Sequence, residues 1–195
     1  MSEKERPKKV REQPLTYEDY ANLPDDGLRY ELADGVLELM SPGPSTDHQL
    51  VSFEIIKKLI PPCQNDYVII HAPLDVILSS IEVRQPDIIM VHRSRMEIIK
   101  KHGIVGAPDL IVEILSPSSI RRDKVKKLKA YARYQVPEYW IVDPANGSLE
   151  QYLLRDHAYE LTEVYQGAEE IRSDRISCIS FTMEQIMQEI PDLPD

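Results

Sequence analysis

The chain has 195 residues, 42% hydrophobic and 29% charged, with a net charge of −10. That length suits one domain that buries a core without metal or disulfide props. The acidic balance excludes a protein that meets nucleic acid through a general positive field. No run reaches the roughly 20 apolar residues of a membrane span.

The first residues, "MSEKERPKKVREQP", lack the apolar middle of a signal peptide. They read as a flexible arm over 1–14, ahead of a single domain over 15–195 in the cytoplasm. Cys63 and Cys178 form no CxxC and no cluster with histidine. They read as two small hydrophobes in a reducing compartment.

"TYEDYANLP" (16–24) predicts a short helix capped by Thr16, with Glu18 and Asp19 in its first turn. "LRYELADGVLELM" (28–40) predicts a hairpin turning at Asp34-Gly35. Over 47–60, Leu50, Phe53, Ile56, Leu59 and Ile60 fall at helical spacing, and Pro61 and Pro62 should stop that helix. Extended runs follow at 67–72, 74–78 and 87–91, then a short helix over 94–103. "DLIVEIL" (109–115) predicts the central strand. A helix follows from Ser118 or Ser119 to about Tyr134, and "EYWIVD" (138–143) is the next strand. A hairpin over 149–165 and a helix over 182–190 capped by Thr182 close the chain. The expected class is α/β or α+β, a mixed sheet flanked by helices, with 109–115 and 138–143 as parallel neighbours.

Glu113 stands inside "DLIVEIL" among Leu110, Ile111, Val112, Ile114 and Leu115. An ionised carboxylate there costs several kcal/mol unless a cation, a hydrogen-bond network or a metal compensates it. Asp87 opens the apolar strand "DIIMV" just after Pro86. If the two strands are adjacent, Asp87 and Glu113 converge, and with waters they suit Mg²⁺. Each residue alone has a plainer reading, as a strand-entry aspartate or a paired strand glutamate.

In "RRDKVKKLKAYARY" (121–134), Asp123, Lys127 and Tyr131 share a face by i, i+4, i+8 spacing. Val125, Leu128 and Ala132 should meet the sheet. The basic run Arg121, Arg122, Lys124, Lys126, Lys127 and Lys129 is mostly a solvated face, but it is where a phosphate backbone would be met. Lys127 starts close enough to the Glu113 strand to reach its carboxylate. Trp140, Tyr139 and Ile141 read as core.

The stretches "RYELADG", "STDHQL", "RQPDIIMV", "GAPDLIVEILSPSS", "RDKVKKLKAY" and "VPEYWIVDP" together resemble the bacterial Uma-type family of restriction endonucleases, a branch of the PD-(D/E)XK nucleases. The resemblance implies a restriction-endonuclease-like fold and hydrolysis of DNA phosphodiester bonds with Mg²⁺ or Mn²⁺. It makes Asp87 and Glu113 the metal ligands, joined by Glu31 as a further acidic position and His48 as a polar one. The backbone carbonyl of Ile114 is an additional ligand by analogy. The motif lysine two residues after Glu113 is here Leu115, and Lys127 is its match on the following helix. Arg121, Arg122, Lys124 and His48 are the expected nucleic-acid contacts, and a homodimer would suit cleavage of both strands. The rivals are a nuclease fold without catalysis that serves as a binding module, and a hydrolase using two carboxylates as acid and base.

Overall fold

The computed structural model describes residues 13–40, 43–117 and 119–193. Most of the predicted arm, residues 1–12, lies outside them, as does Ser118. Helix α1 (Tyr17–Ala21) carries a capping box in which Thr16 and Asp19 satisfy each other's backbone. Strands β1 (Tyr30–Ala33) and β2 (Val36–Leu39) pair antiparallel around Asp34-Gly35. Both turn residues have positive φ, 48° and 76°, which matches the right-handed twist of the flanking strands.

Helix α2 (Thr46–Cys63) follows, then β3 (Tyr67–His71), β4 (Val76–Ser79), β5 (Glu82–Arg84) and β6 (Ile88–His92). A 3-10 turn (Arg93–Ile98) leads into β7 (Ile99–Lys100), β8 (Gly103–Val105) and β9 (Leu110–Ile114). A helix over 120–133 starts α-helical, passes through a π-helical stretch (Arg122–Lys127) and ends as α3 (Leu128–Arg133). The chain closes with β10 (Glu138–Asp143), β11 (Ser148–Arg155), β12 (Ala158–Gln166), β13 (Glu170–Ile171), β14 (Phe181–Thr182) and α4 (Met183–Met187).

Two six-stranded sheets result, ordered β2-β1-β5-β4-β8-β7 and β12-β11-β10-β9-β6-β3. In the second, β9 is central and every residue of it is buried. It runs parallel to β10 and antiparallel to β6. Leu110, Val112 and Ile114 face Val51, Ile55 and Leu59 of α2. Ile111 and Leu115 face Tyr131, Val136 and Tyr139 on the opposite side. Glu113 belongs to this second face by alternation.

Five expectations need correction. Pro61 and Pro62 lie inside α2, which continues to Cys63; packing of its last turn outweighs the lost amide donors. Its buried stripe is Val51, Ile55, Leu59 and Cys63, while Phe53 is 58% exposed, because two apolar stripes fit the same period and only the sheet selects one. The helix expected over 94–103 is a six-residue 3-10 segment (Arg93–Ile98) kinked at Arg95, followed by a two-strand hairpin. Val125 points outward, 44% exposed, since Asp123, Lys127 and Tyr131 take the inward face.

Cys63 and Cys178 are joined as a disulfide across 115 residues of sequence, not two unpaired hydrophobes as expected. It ties the end of α2 to the segment before β14. Closing a loop of that length constrains the unfolded chain by roughly 4–5 kcal/mol. Guanidinium unfolding with and without dithiothreitol should therefore show a midpoint shift corresponding to several kcal/mol. Cys63→Ser should abolish the reductant effect; a Cys63→Ser protein that still responds to dithiothreitol contradicts the cross-link.

Candidate functional site

Glu113 does find a cation. Lys127 Nζ lies 2.7 Å from its Oε1, and the Tyr131 hydroxyl donates to the same oxygen at 2.7 Å. Lys127 is 2% exposed. Its ammonium also lies 3.3 Å from Glu31 Oε1 and 3.7 Å from Asp123 Oδ1. The i, i+4, i+8 spacing read from the sequence is what aims these helix residues at β9. The π-helical stretch that ends at Lys127 belongs to a class of distortion often found at functional sites.

Glu31 is the hairpin's contribution. It is 1% exposed, not a surface strand residue. The Gln85 amide donates to its Oε1 at 2.9 Å and Arg84 donates to its Oε2 at 3.2 Å. Arg84 in turn binds Glu82 at 2.6 Å and lies 3.7 Å from Glu38. Strand β5 thus brings a buried arginine against β1. The segment 79–86 shows no apolar run, so sequence reasoning passed over it. A charged residue every second position in "EVR" was the only signal present.

Asp87 sits at the head of β6, beside the end of β9. Its Oδ2 accepts from the Ile114 amide at 2.8 Å and lies 3.1 Å from His48 Nε2. Ile114 therefore holds Asp87 through its N–H. His48, in the first turn of α2, is 7% exposed, and its Nδ1 is buried without a partner among the described residues. Asp87, Glu113, Asp123, Lys127, His48 and Arg122 all line one cavity of about 130 Å³. Of the remaining expected contacts, Arg121 is exposed and Lys124 is engaged 2.6 Å from Glu150.

The electrostatics follow from burial and crowding. Burial raises the Glu113 carboxyl well above the usual range; Lys127 opposes this, while Asp123, Asp87 and Glu31 add to it. Burial also acts upward on Glu31, but Lys127 and Arg84 outweigh it and hold that carboxyl below its ordinary value. Burial would strip the proton from Lys127, yet Glu113, Glu31 and Asp123 keep it on firmly. The Tyr131 phenol, raised by burial and then by Glu113, stays a donor. One ammonium is shared by three carboxylates, so Glu113 is under-compensated.

Such a donor set fits a further cation. Both hydrogen bonds to Asp87 fall on Oδ2, and both to Glu113 fall on Oε1. Among the described residues, one oxygen of each is thereby left without a hydrogen bond. Among the described residues no group of three or more His, Cys, Asp or Glu side chains forms a metal cage. Two carboxylates completed by water and substrate oxygens is the Mg²⁺ pattern, unlike the dedicated cages of Ca²⁺ or Zn²⁺.

Residues 17–184 match the model of the Uma2 family, described as "Putative restriction endonuclease". The chain is similar to the crystal structure of "a putative nuclease belonging to DUF820" from Anabaena variabilis. That similarity has a TM-score of 0.74 at 19% identity and covers 90% of this chain and 99% of that one. No curated protein matches. The structural likeness carries the fold, which is the mixed, helix-flanked, restriction-endonuclease-like arrangement expected.

The opposite pulls on the two glutamates have opposite consequences, read by urea unfolding in EDTA at neutral pH. Glu113→Gln should leave stability unchanged or raise it, because a carboxyl with an elevated pKa disfavours the folded state once ionised. Glu31→Gln should lower it. A depressed folded pKa contributes stability above the unfolded value, near 4.5, and loses it as pH falls through the folded one; this variant should therefore lose part of the acid limb of the stability profile. Lys127→Met leaves buried carboxylates without their cation and should cost about 3–5 kcal/mol. Equal effects of all three variants would contradict the charge balance described.

Proposed function

The chain belongs to the Uma2 family, and from that premise we propose that it is a divalent-metal-dependent nuclease hydrolysing DNA phosphodiester bonds at the cavity between β6, β9 and the helix over 120–133. The observation that supports this most is the convergence of Asp87, Glu113 and Lys127 on one cavity, with an uncommitted oxygen on each carboxylate. Leu115 takes the place of the motif lysine, but an ammonium still reaches Glu113, from the helix instead of the strand.

In this reading Asp87 and Glu113 would hold Mg²⁺ or Mn²⁺. When bound, the ion polarises phosphoryl oxygens and acidifies water. The Ile114 amide and His48 fix the rotamer of Asp87, so that its free oxygen is directed without reorganisation. Tyr131 and Lys127 do the same for Glu113. Lys127 keeps its proton and sets a fixed positive charge against the negative charge that grows on the phosphate during in-line attack. Arg122 and Arg29, both on the cavity wall, meet non-bridging oxygens. Glu31 acts through Lys127 and is a positioning residue. A homodimer would place two such sites on a duplex.

A second reading, a nuclease fold kept as a binding module, draws on one observation. Lys127 is already engaged by three carboxylates and is 2% exposed.

Cleavage of supercoiled and linear DNA with Mg²⁺ or Mn²⁺ tests the proposal. Wild type should cut; Asp87→Ala and Glu113→Ala should lose essentially all activity, and Lys127→Ala about 10²–10³-fold. Mn²⁺ titration calorimetry on the same proteins should show binding that both carboxylate variants abolish. Metal binding by wild type with no cleavage of any DNA form would favour the binding module. Activity that survives Asp87→Ala would sink the site.

A further inference from the structure

Beside the acidic cavity lies a second, more apolar one of about 350 Å³. The two share His48, Gln49, Ala72 and Asp87 as a common wall. The volume is at the lower end of the roughly 300–1,000 Å³ usual for small-ligand sites. Its floor is the outer stripe of α2, with Phe53, Ile56 and Ile60, and Gln49, Ser52 and His71 add polar atoms. Phe53 is 58% exposed and Ile60 40% exposed. Val51, Ile55, Leu59 and Cys63 seat α2 on the sheet and Ile56 packs partly against the same core, which leaves Phe53 and Ile60 at the open edge of the groove. An exposed phenylalanine next to a cluster of carboxylates has no role in stability that the packing reveals.

The position supplies one. Lys57 lies over the Phe53 ring with its ammonium 5.6 Å from the centroid, and it is itself tied to Glu54 at 2.8 Å. A positive charge therefore stands beside the ring. At the shared wall, His48 Nδ1 is buried without a partner among the described residues. A phosphate bound at Asp87 and Glu113 would carry a sugar and a base on either side, and the groove shares the Asp87 wall with that cavity. An aromatic floor with polar groups at its edges matches a planar heteroaromatic ring, whose face is apolar and whose rim is polar.

We propose that this groove receives an unpaired base of the nucleotide next to the scissile phosphate, with Phe53 as its stacking face. The inference rests on the nuclease reading above and narrows its substrate class. The preferred nucleic acid is one whose base is free to leave the stack: a single strand, or a duplex with a mismatch or bubble. In a matched duplex the base would first have to be unpaired and turned out, at a cost of a few kcal/mol. That cost makes a continuous duplex the poorer ligand.

Fluorescence anisotropy in low salt with Ca²⁺ tests this without cleavage. The probes are a short fluorescein-labelled single strand, its matched duplex, and the same duplex carrying a bubble. Wild type should bind the single strand and the bubble more tightly than the matched duplex. Phe53→Ala should weaken binding to those two by roughly 5- to 150-fold, the worth of one stacked base, and change the matched duplex little. Phe53→Tyr should restore the preference. Phe53 is exposed, so thermal melting of both variants should match wild type. Equal affinity for all three probes, or a Phe53→Ala protein that binds like wild type, overturns the proposal. So does a concentration-dependent dimer in sedimentation that Phe53→Asp dissociates, which would give the groove to a second copy of the chain. The nuclease reading fails separately, when wild type binds Mn²⁺ yet cleaves no DNA form, and its site fails when cleavage survives Asp87→Ala.

Discussion

The ammonium of Lys127 is the point on which the arrangement turns. It lies within 3.7 Å of Glu113 on one sheet, Glu31 on the other and Asp123 on its own helix. Three separate parts of the chain thus meet at a single buried positive charge. Taking such a charge out of water is unfavourable by several kcal/mol, and only carboxylates at short range make it tolerable. The helix over 120–133 is consequently fixed in rotation about its axis. Tyr131 follows onto Glu113, while Val125 is turned to solvent.

The same crowding explains why the site is polarised. Apolar strands β6 and β9 hold Asp87 and Glu113 with little freedom, because their neighbours on both faces are close-packed. The carboxylates cannot separate to relieve their repulsion. Glu31 is relieved by Arg84, a residue that makes no contact with Glu113 among the described hydrogen bonds and ion pairs. Among the described residues, Glu113 has no comparable second cation. Stability and the proposed uptake of a divalent ion thus pull against each other at one residue, as functional sites commonly do.

Charge and shape also divide the surface near the site. The chain has a net charge of −10, so long-range attraction for a polyanion is weak and contact depends on local groups. Arg122 and Arg29 serve the acidic cavity, and α2 offers an apolar stripe beside it. The end of α2 is anchored far along the sequence by Cys63 and Cys178, which supports a helix that two prolines would otherwise weaken in its last turn.

Local signals determined much of this protein. The caps of α1 and α4, the Asp34-Gly35 hairpin, and strands β9 and β10 follow from residue types over a few positions, and the structure has each of them. The odd glutamate in an apolar strand and the spacing of Asp123, Lys127 and Tyr131 were also legible, since period and chemistry are properties of the chain itself. Tertiary structure alone decided the rest. Which of two apolar stripes on α2 faces the sheet, the burial of Glu31 and His48, the arrival of Arg84 and the pairing of the cysteines all depend on residues distant in sequence. A side chain's period fixes which neighbours it shares a face with; only the packing of other elements decides what that face meets.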